Sequence, residues 1–249
     1  MPYGEYSDYY DLLYLEKDYL AEVGYVKEIF NKFHLDVKSI LDIGCGTGKH
    51  AKLFSNMGFS VIGVDLSEKM IHVAKKDFSA INPNFQVGDA KEFVLKEPVD
   101  AVVSLFSVVG YHTTDDELES FFASANKNLV KGGLLIFDFW YGPAILSNLP
   151  VVRVKRVENS LVSLTRLSEP NLLVNADVVD INYTMFVKDK KSQTCKEFSE
   201  LHKVRYFFLP ELKRMLKRAG FKFEFCWEFG KFNDLNKDSW EACIVGVKK

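Results

Sequence analysis

The sequence predicts an α/β fold: a doubly wound, mostly parallel sheet with an antiparallel β-meander inserted late in the chain. Three observations carry that expectation. Ser39 to His50 (S-I-L-D-I-G-C-G-T-G-K-H) reads as a short apolar strand, a turn with glycine at alternate positions, and the start of a helix. Apolar strands then alternate with helical patterns as far as Phe139, the arrangement of a parallel sheet covered on both faces. From Val151 to Phe208 the chain changes to alternating runs rich in valine, threonine and aromatics, separated by short polar turns, which is how antiparallel strands read.

Taken in order, Tyr6 to Leu15 is aromatic and acidic, and Asp18 to Phe33 carries Leu20, Val23, Val26, Ile29, Phe30 and Phe33 at helical spacing. The second piece is a covering helix. For the first, Tyr9, Tyr10 and Tyr14 are either core rings whose hydroxyls reach water or the walls of a lid, spanning about residues 1–20, over a strand-end pocket. Gly44, Gly46 and Gly48 form the turn, where the lack of Cβ atoms lets a ligand lie against main-chain N–H groups at the positive end of the next helix. A dinucleotide turn would read G-x-G-x-x-G; here Lys49 stands where that pattern wants glycine.

A second strand, Phe59 to Leu66, ends in Asp65, and a helix capped by Ser67 follows with Met70, Ile71 and Ala74 on its apolar face. Asn84 to Phe93 is a third short strand carrying Asp89. Val99 to Leu105 has no polar alternation, so it sits at the sheet centre and ends in Phe106 to His112. A helix capped near Thr114, with Asp115, Asp116 and Glu117 in its first turn, precedes Gly132 and Gly133, which turn the chain into the strand Leu134 to Phe139. After the meander, Pro210 to Phe221 is a helix with Pro at its start and Gly near its end, and strands at Lys222 to Glu228 and Trp240 to Val247 close the sheet.

The ends of neighbouring parallel strands line one crevice. Asp65 is placed there to accept both hydroxyls of a ribose. Asp89 is placed to accept from an exocyclic adenine amine while the Ala90 N–H donates to a ring nitrogen. The charge balance, 32 basic against 34 acidic side chains in 249 residues, leaves no field for a nucleic-acid backbone or an anionic membrane, so the partner expected is a small molecule. No apolar run approaches a membrane span and the first residues do not read as a signal peptide, which leads to the expectation of a cytoplasmic protein. Cys45, Cys195, Cys226 and Cys243 lack a C-x-x-C spacing; neither zinc nor a disulfide framework is expected, and no metal site is assigned.

The D-x-G-x-G-x-G run beginning at Asp42 resembles motif I of the class I S-adenosylmethionine (SAM) methyltransferases, and with the Asp65 strand end, V-G-D-A and L-K-R-A-G-F the resemblance covers roughly two thirds of the chain. It implies a seven-stranded Rossmann-like sheet, made by residues 1–149 and 209–249, with residues 150–208 inserted as a substrate cover or dimer interface. A narrower likeness, carried by Y-D-L-L-Y with K-D-Y, L-F-S-V-V-G-Y-H-T-T-D-D-E-L, F-D-F-W-Y-G-P and F-S-E-L-H, is to the N,N-dimethyltransferases of TDP-linked deoxyamino sugars. That likeness implies SAM as cofactor, S-adenosylhomocysteine as product and a nucleotide sugar as partner; the exposed meander leads separately to the expectation of a homodimer.

Carried over residue by residue, the resemblance puts Asp42, Gly44, Gly46 and Gly48 at the cofactor, with Gly44 under the methionine part. Asp65 with Leu66 holds the ribose, Asp89 and Ala90 the adenine, Leu105 lies near the sulfonium, and Tyr10 and Tyr19 close over it. Tyr14, Tyr111, Trp140, Tyr141 and Arg166 face the sugar nucleotide. The chain departs from the family in having Gly44 where Ala is frequent, Asp65 where Glu is frequent, Trp140-Tyr141 in place of paired Trp, and a shorter linker before Lys17-Asp18-Tyr19. A sulfonium methyl is already activated, so the chemistry needs mainly a positioned, neutral amine; His112 and Tyr111 are the candidates for a base.

Overall fold

A computed structural model describes residues 3–33, 35–78 and 82–249; the first two residues of the expected lid lie outside them. In chain order the elements are α1 (Tyr10–Leu13, after a 3-10 turn at Glu5–Tyr9), α2 (Tyr19–Lys32), β1 (Ser39–Ile43), α3 (Lys49–Asn56), β2 (Ser60–Asp65), α4 (Glu68–Asp77), β3 (Asn84–Val87) and β4 (Val99–Ser104). After a 3-10 turn at Val108–Tyr111 come α5 (Asp115–Asn128), β5 (Leu129–Trp140) and α6 (Gly142–Ser147). The meander is β6 (Arg153–Glu158), β7 (Val162–Leu173), β8 (Val178–Asp189) and β9 (Cys195–Arg205). The chain ends with α7 (Leu209–Arg218), β10 (Phe221–Glu228) and β11 (Glu241–Lys248).

Seven strands form one sheet in the order β10-β11-β5-β4-β1-β2-β3, with β11 antiparallel to both neighbours and the rest parallel. The order reverses between β1 and β4, where the connections leave to opposite faces and a crevice opens at the strand ends. Both faces are packed, one by Val23, Val26, Ile29, Phe54 and Ile71, the other by Leu118, Phe121, Phe122, Leu212 and Leu216. Helix starts follow the expected chemistry. The Ser67 hydroxyl accepts Met70 N–H (3.3 Å), and Thr114 with Glu117 forms a reciprocal cap at α5.

Two boundaries differ from the sequence reading. β3 stops at Val87 because Glu92 and Phe93 return their N–H groups to the Asp89 carbonyl (3.1 and 2.9 Å), so Asp89 sits in a turn past the strand. Gly132 and Gly133 lie inside β5 and do not precede it. Gly132 has φ +80°, and the pairing with β4 slips between Val99 and Ala101, so the glycines make a bulge that lets the strand start at Leu129.

The meander is a four-stranded antiparallel sheet, β6-β7-β8-β9. Its inner face packs on the N-terminal arm through Tyr6, Leu13, Leu164, Met185 and Val187. Its two ends leave and rejoin the main sheet side by side: Gly142 N–H donates to Phe207 O (2.8 Å) and Phe207 N–H to Trp140 O (2.9 Å). No helix among the described residues is long and apolar enough to cross a membrane.

Candidate active site

The glycine turn is tied to the next strand by its own backbone. Gly44 and Cys45 N–H both donate to Val64 O (2.8 and 3.0 Å). Gly44, Gly46 and Gly48 have φ of +74°, +54° and +82°, a region that side chains other than glycine's rarely occupy. Their surroundings separate them. A Cβ on Gly44 would meet the Val108 methyls at 2.5 Å and one on Gly48 the Phe85 ring at 2.5 Å, whereas Gly46 has nothing within 4 Å. Gly44 and Gly46 line the crevice; Gly48 packs against Phe85 and Ala74 and starts α3.

Asp65 closes the turn from the end of β2. Its Oδ2 accepts Gly46 N–H (2.9 Å) and its Oδ1 accepts Ser67 N–H (2.8 Å). Burial pushes its pKa up, against the two N–H groups that pull it down. Across the crevice, Asp89 accepts Lys91 N–H (2.9 Å), and Lys91 Nζ lies 3.6 Å from Asp89 and 3.4 Å from Glu117. Leu105 is buried at the end of β4. Phe106 and Ser107 then take left-handed conformations, φ 71° and 58°. They are held there by Asp138, whose carboxylate accepts Ser107 N–H (3.0 and 2.9 Å) and the Ser107 hydroxyl (3.2 Å). Burial pushes the Asp138 carboxyl up to about 7.

These groups surround a cavity of about 600 Å3, with Gly44, Gly46, Asp65, Leu66, Asp89, Ala90 and Leu105 on the sheet side and Tyr3, Tyr10 and Tyr111 on the side of the arm and meander. Tyr19 sits next to it, lining a small cleft of about 20 Å3 with Tyr10, Thr47 and His50. The arm is latched to the turn through Asp11, which accepts the Thr47 hydroxyl (2.7 Å) and pairs with Lys49 (3.0 Å).

Several of the predicted residues lie elsewhere. Asp42 is enclosed in β1, beneath the turn; burial raises its pKa to about 6, while His50 nearby holds it down, and it supports the turn without reaching the cavity. Trp140 packs edge-on against Trp240, with ring centroids 6.2 Å apart, because the end of β5 pairs with β11; Tyr141 bridges to Phe207 and caps α6. Neither lines the cavity. Tyr14 and Arg166 stand behind its wall. The guanidinium donates to Tyr6 Oη (2.8 Å) and Tyr14 Oη (3.1 Å), and the Tyr14 ring meets Phe106 edge-on at 5.0 Å.

The two candidate bases point different ways. His112 lines the cavity but packs on Phe121, its charged neighbours are Glu117, Lys91 and Asp89, and burial lowers its pKa to about 4. The Tyr111 hydroxyl reaches the opposite side, to His202 Nδ1 at 2.9 Å and Tyr3 Oη at 2.7 Å.

Residues 40–133 match the family described as "Methyltransferase domain". Over 223 residues, 89% of this chain and 92% of that protein, the chain is 30% identical to the dTDP-3-amino-3,4,6-trideoxy-alpha-D-glucopyranose N,N-dimethyltransferase of Streptomyces venezuelae. The chain belongs to the S-adenosylmethionine-dependent methyltransferases. Two solved structures resemble this methyltransferase over nearly all of both chains. DesVI of Streptomyces venezuelae gives a TM-score of 0.83 at 27% identity, covering 99% of each chain. The sugar N-methyltransferase KedS8 of a Streptoalloteichus species gives 0.81 at 26%, covering 96% of this chain and 92% of that one.

The methyltransferase's cofactor is SAM. Its site also contains residues that sequence reasoning left without an individual role, although Phe106 and Ser107 stand at the β4 end and Glu200 and His202 in the F-S-E-L-H run. Phe106, Ser107 and Asp138 carry no local signal, since only the fold reveals a left-handed pair without glycine. Glu200 and His202 did leave one: they stand two apart in β9, and alternate strand residues share a face.

Proposed function

We propose that this methyltransferase methylates the amino group of a nucleotide-linked (TDP) deoxyamino sugar. The observation that carries the reading is the continuity of the cavity, whose glycine-and-acid side runs without a break into a wall of tyrosines supplied by the arm and the strand-end turn. The match to the Streptomyces venezuelae relative supports it, since 89% of the chain is too much to leave the meander out.

The sheet side has the chemistry an adenosyl group needs. Each Asp65 oxygen already accepts one N–H and keeps a further lone pair for a ribose hydroxyl. Asp89 with Ala90 N–H offers an acceptor and a donor to the adenine edge, Gly46 leaves room for the methionine part, and Tyr10 and Tyr19 close it in. SAM supplies a methyl group already activated on a sulfonium. What remains for the chain is to exclude water and hold the acceptor in line beside Leu105, work that supplies as much as roughly 7 to 11 kcal/mol. A half-enclosed, apolar surrounding also lowers an amine's pKa and favours the neutral form that has a lone pair to give.

Methyl transfer from labelled SAM to a panel of TDP-amino sugars tests the reading. The expected result is label in the sugar amine. Transfer only to a different small amine, a hydroxyl or a carboxylate would replace it.

A further inference from the structure

Four polar side chains stand in a row that runs from the meander into the tyrosine wall, where Tyr111 and Tyr3 line the cavity. The Tyr6 N–H donates to Glu200 Oε1 (3.0 Å), Glu200 Oε2 lies 3.5 Å from His202 Nε2, His202 Nδ1 is 2.9 Å from Tyr111 Oη, and Tyr111 Oη is 2.7 Å from Tyr3 Oη. His202 is only 1% exposed, and its Nε2 and Glu200 Oε2, which face each other across that 3.5 Å gap, have no hydrogen-bond partner among the described residues.

The direction of this row follows from its first member. A carboxylate only accepts, and Oε1 is taken by a backbone N–H, so the negative oxygen facing Nε2 at 3.5 Å favours the tautomer that carries the imidazole proton there. Nδ1 is then bare and accepts. Tyr111 must give its own proton there, Tyr3 gives its proton to Tyr111, and the phenol oxygen of Tyr111, a residue that lines the cavity, has only a lone pair left to offer.

We propose that Glu200 and His202 are positioning residues that fix Tyr111 as a hydrogen-bond acceptor facing the cavity, and so favour an acceptor substrate that brings an N–H. The inference rests on the amine reading above and deepens it. An amine that donates one N–H to Tyr111 Oη is oriented while its lone pair stays free; a carboxylate at the same place meets lone pair with lone pair.

Magnitudes favour orientation over proton removal. The groups facing His202 are Glu200 on β9, Tyr183 on β8, Arg166 on β7, Tyr111 on the strand-end turn, and Tyr3 and Tyr6 on the arm. Burial lowers the imidazole to about 4 despite Glu200, so it is neutral at neutral pH and a poor proton acceptor. Burial also holds the Tyr111 phenol well above its ordinary range, so it stays protonated. The row transmits a direction, not a charge.

Glu200→Gln tests this with almost no change of shape. The Tyr6 N–H keeps the amide oxygen, the amide nitrogen then faces Nε2 and donates to it, the imidazole proton moves to Nδ1, and Tyr111 turns its own proton toward the cavity. Imidazole 15N shifts should report Nε2–H in the wild type and Nδ1–H in the variant, with no acceptor substrate needed. With the amine acceptor, kcat should fall about tenfold in E200Q and in Tyr111→Phe, the size of one lost hydrogen bond, with the KM for SAM unchanged. The double variant should be no slower than Y111F alone. The same tautomer in both proteins, a flip that leaves kcat untouched, or losses that multiply in the double variant would each overturn the inference while amine methylation stands. Wild-type transfer to a carboxylate acceptor overturns both.

Discussion

Gly46 and Asp65 meet through one N–H···O bond between residues 19 apart in the chain, whereas Tyr111 is held by Tyr3 and His202, 108 and 91 positions away. The glycine side of the cavity is thus built by neighbouring strand–turn units of one parallel sheet, largely from main-chain groups whose directions are set once the strands pair. The tyrosine side is built by side chains from three separate segments, the arm, the turn after β4 and the meander, and its hydroxyl protons take their directions from one another and from the His202 and Arg166 side chains. One side is rigid because its backbone has no alternative. The other is ordered only as long as every member is present.

That contrast can be broken from either side. The largest effect should come from Asp65→Ala, which removes the acceptor for both the turn and the ribose; affinity for S-adenosylhomocysteine should fall about a hundredfold, and unchanged binding in calorimetry would reject the assignment. Arg166→Met tests the tyrosine side. It leaves the Tyr6 and Tyr14 hydroxyls without their shared donor, and urea unfolding should show a loss of about 1–3 kcal/mol. If the midpoint stays put, that wall does not depend on its hydroxyl network.

A smaller effect should appear as a pH slope. Folded Asp138 keeps its proton up to about pH 7, while an unfolded aspartate releases it near pH 4, so the folded state binds more protons between those limits. Its contribution is full below the unfolded value and is lost as pH rises through the folded one. Asp138→Asn should therefore flatten the decline in thermal stability between about pH 4 and about pH 7, and parallel curves for the two proteins would contradict the assignment. His112→Ala should do least, lowering turnover by less than about tenfold in steady-state kinetics, since the ring lies with Asp89 and Lys91, away from the Tyr111 row. A larger loss would restore His112 as a candidate base.

The same contrast explains what could be read in advance. Glycines at alternate positions and an acid at the next strand end are local patterns, and the strand order that brings them together follows from the alternation of strand and helix. Asp42, the motif's first acid, is buried inside β1 and is not among the residues lining the cavity, a placement that spacing alone does not reveal. Trp140 and Tyr141 are drawn toward β11 and Phe207 by pairings between distant segments, which no spacing reveals. Asp138 and His202 act through left-handed backbone and hydroxyl directions that exist only after folding.

One consequence follows from how the meander is attached. Its entry at Trp140–Gly142 and its exit at Phe207 are laced together by two main-chain bonds, so the excursion hangs from a narrow stem and spans no gap in the parent sheet. Closing a loop whose ends already touch costs little more when the loop is long than when it is short. A graft at that stem, longer, shorter or foreign, would keep the pairing of the parent sheet while removing the packing that the meander gives the arm and the turn after β4.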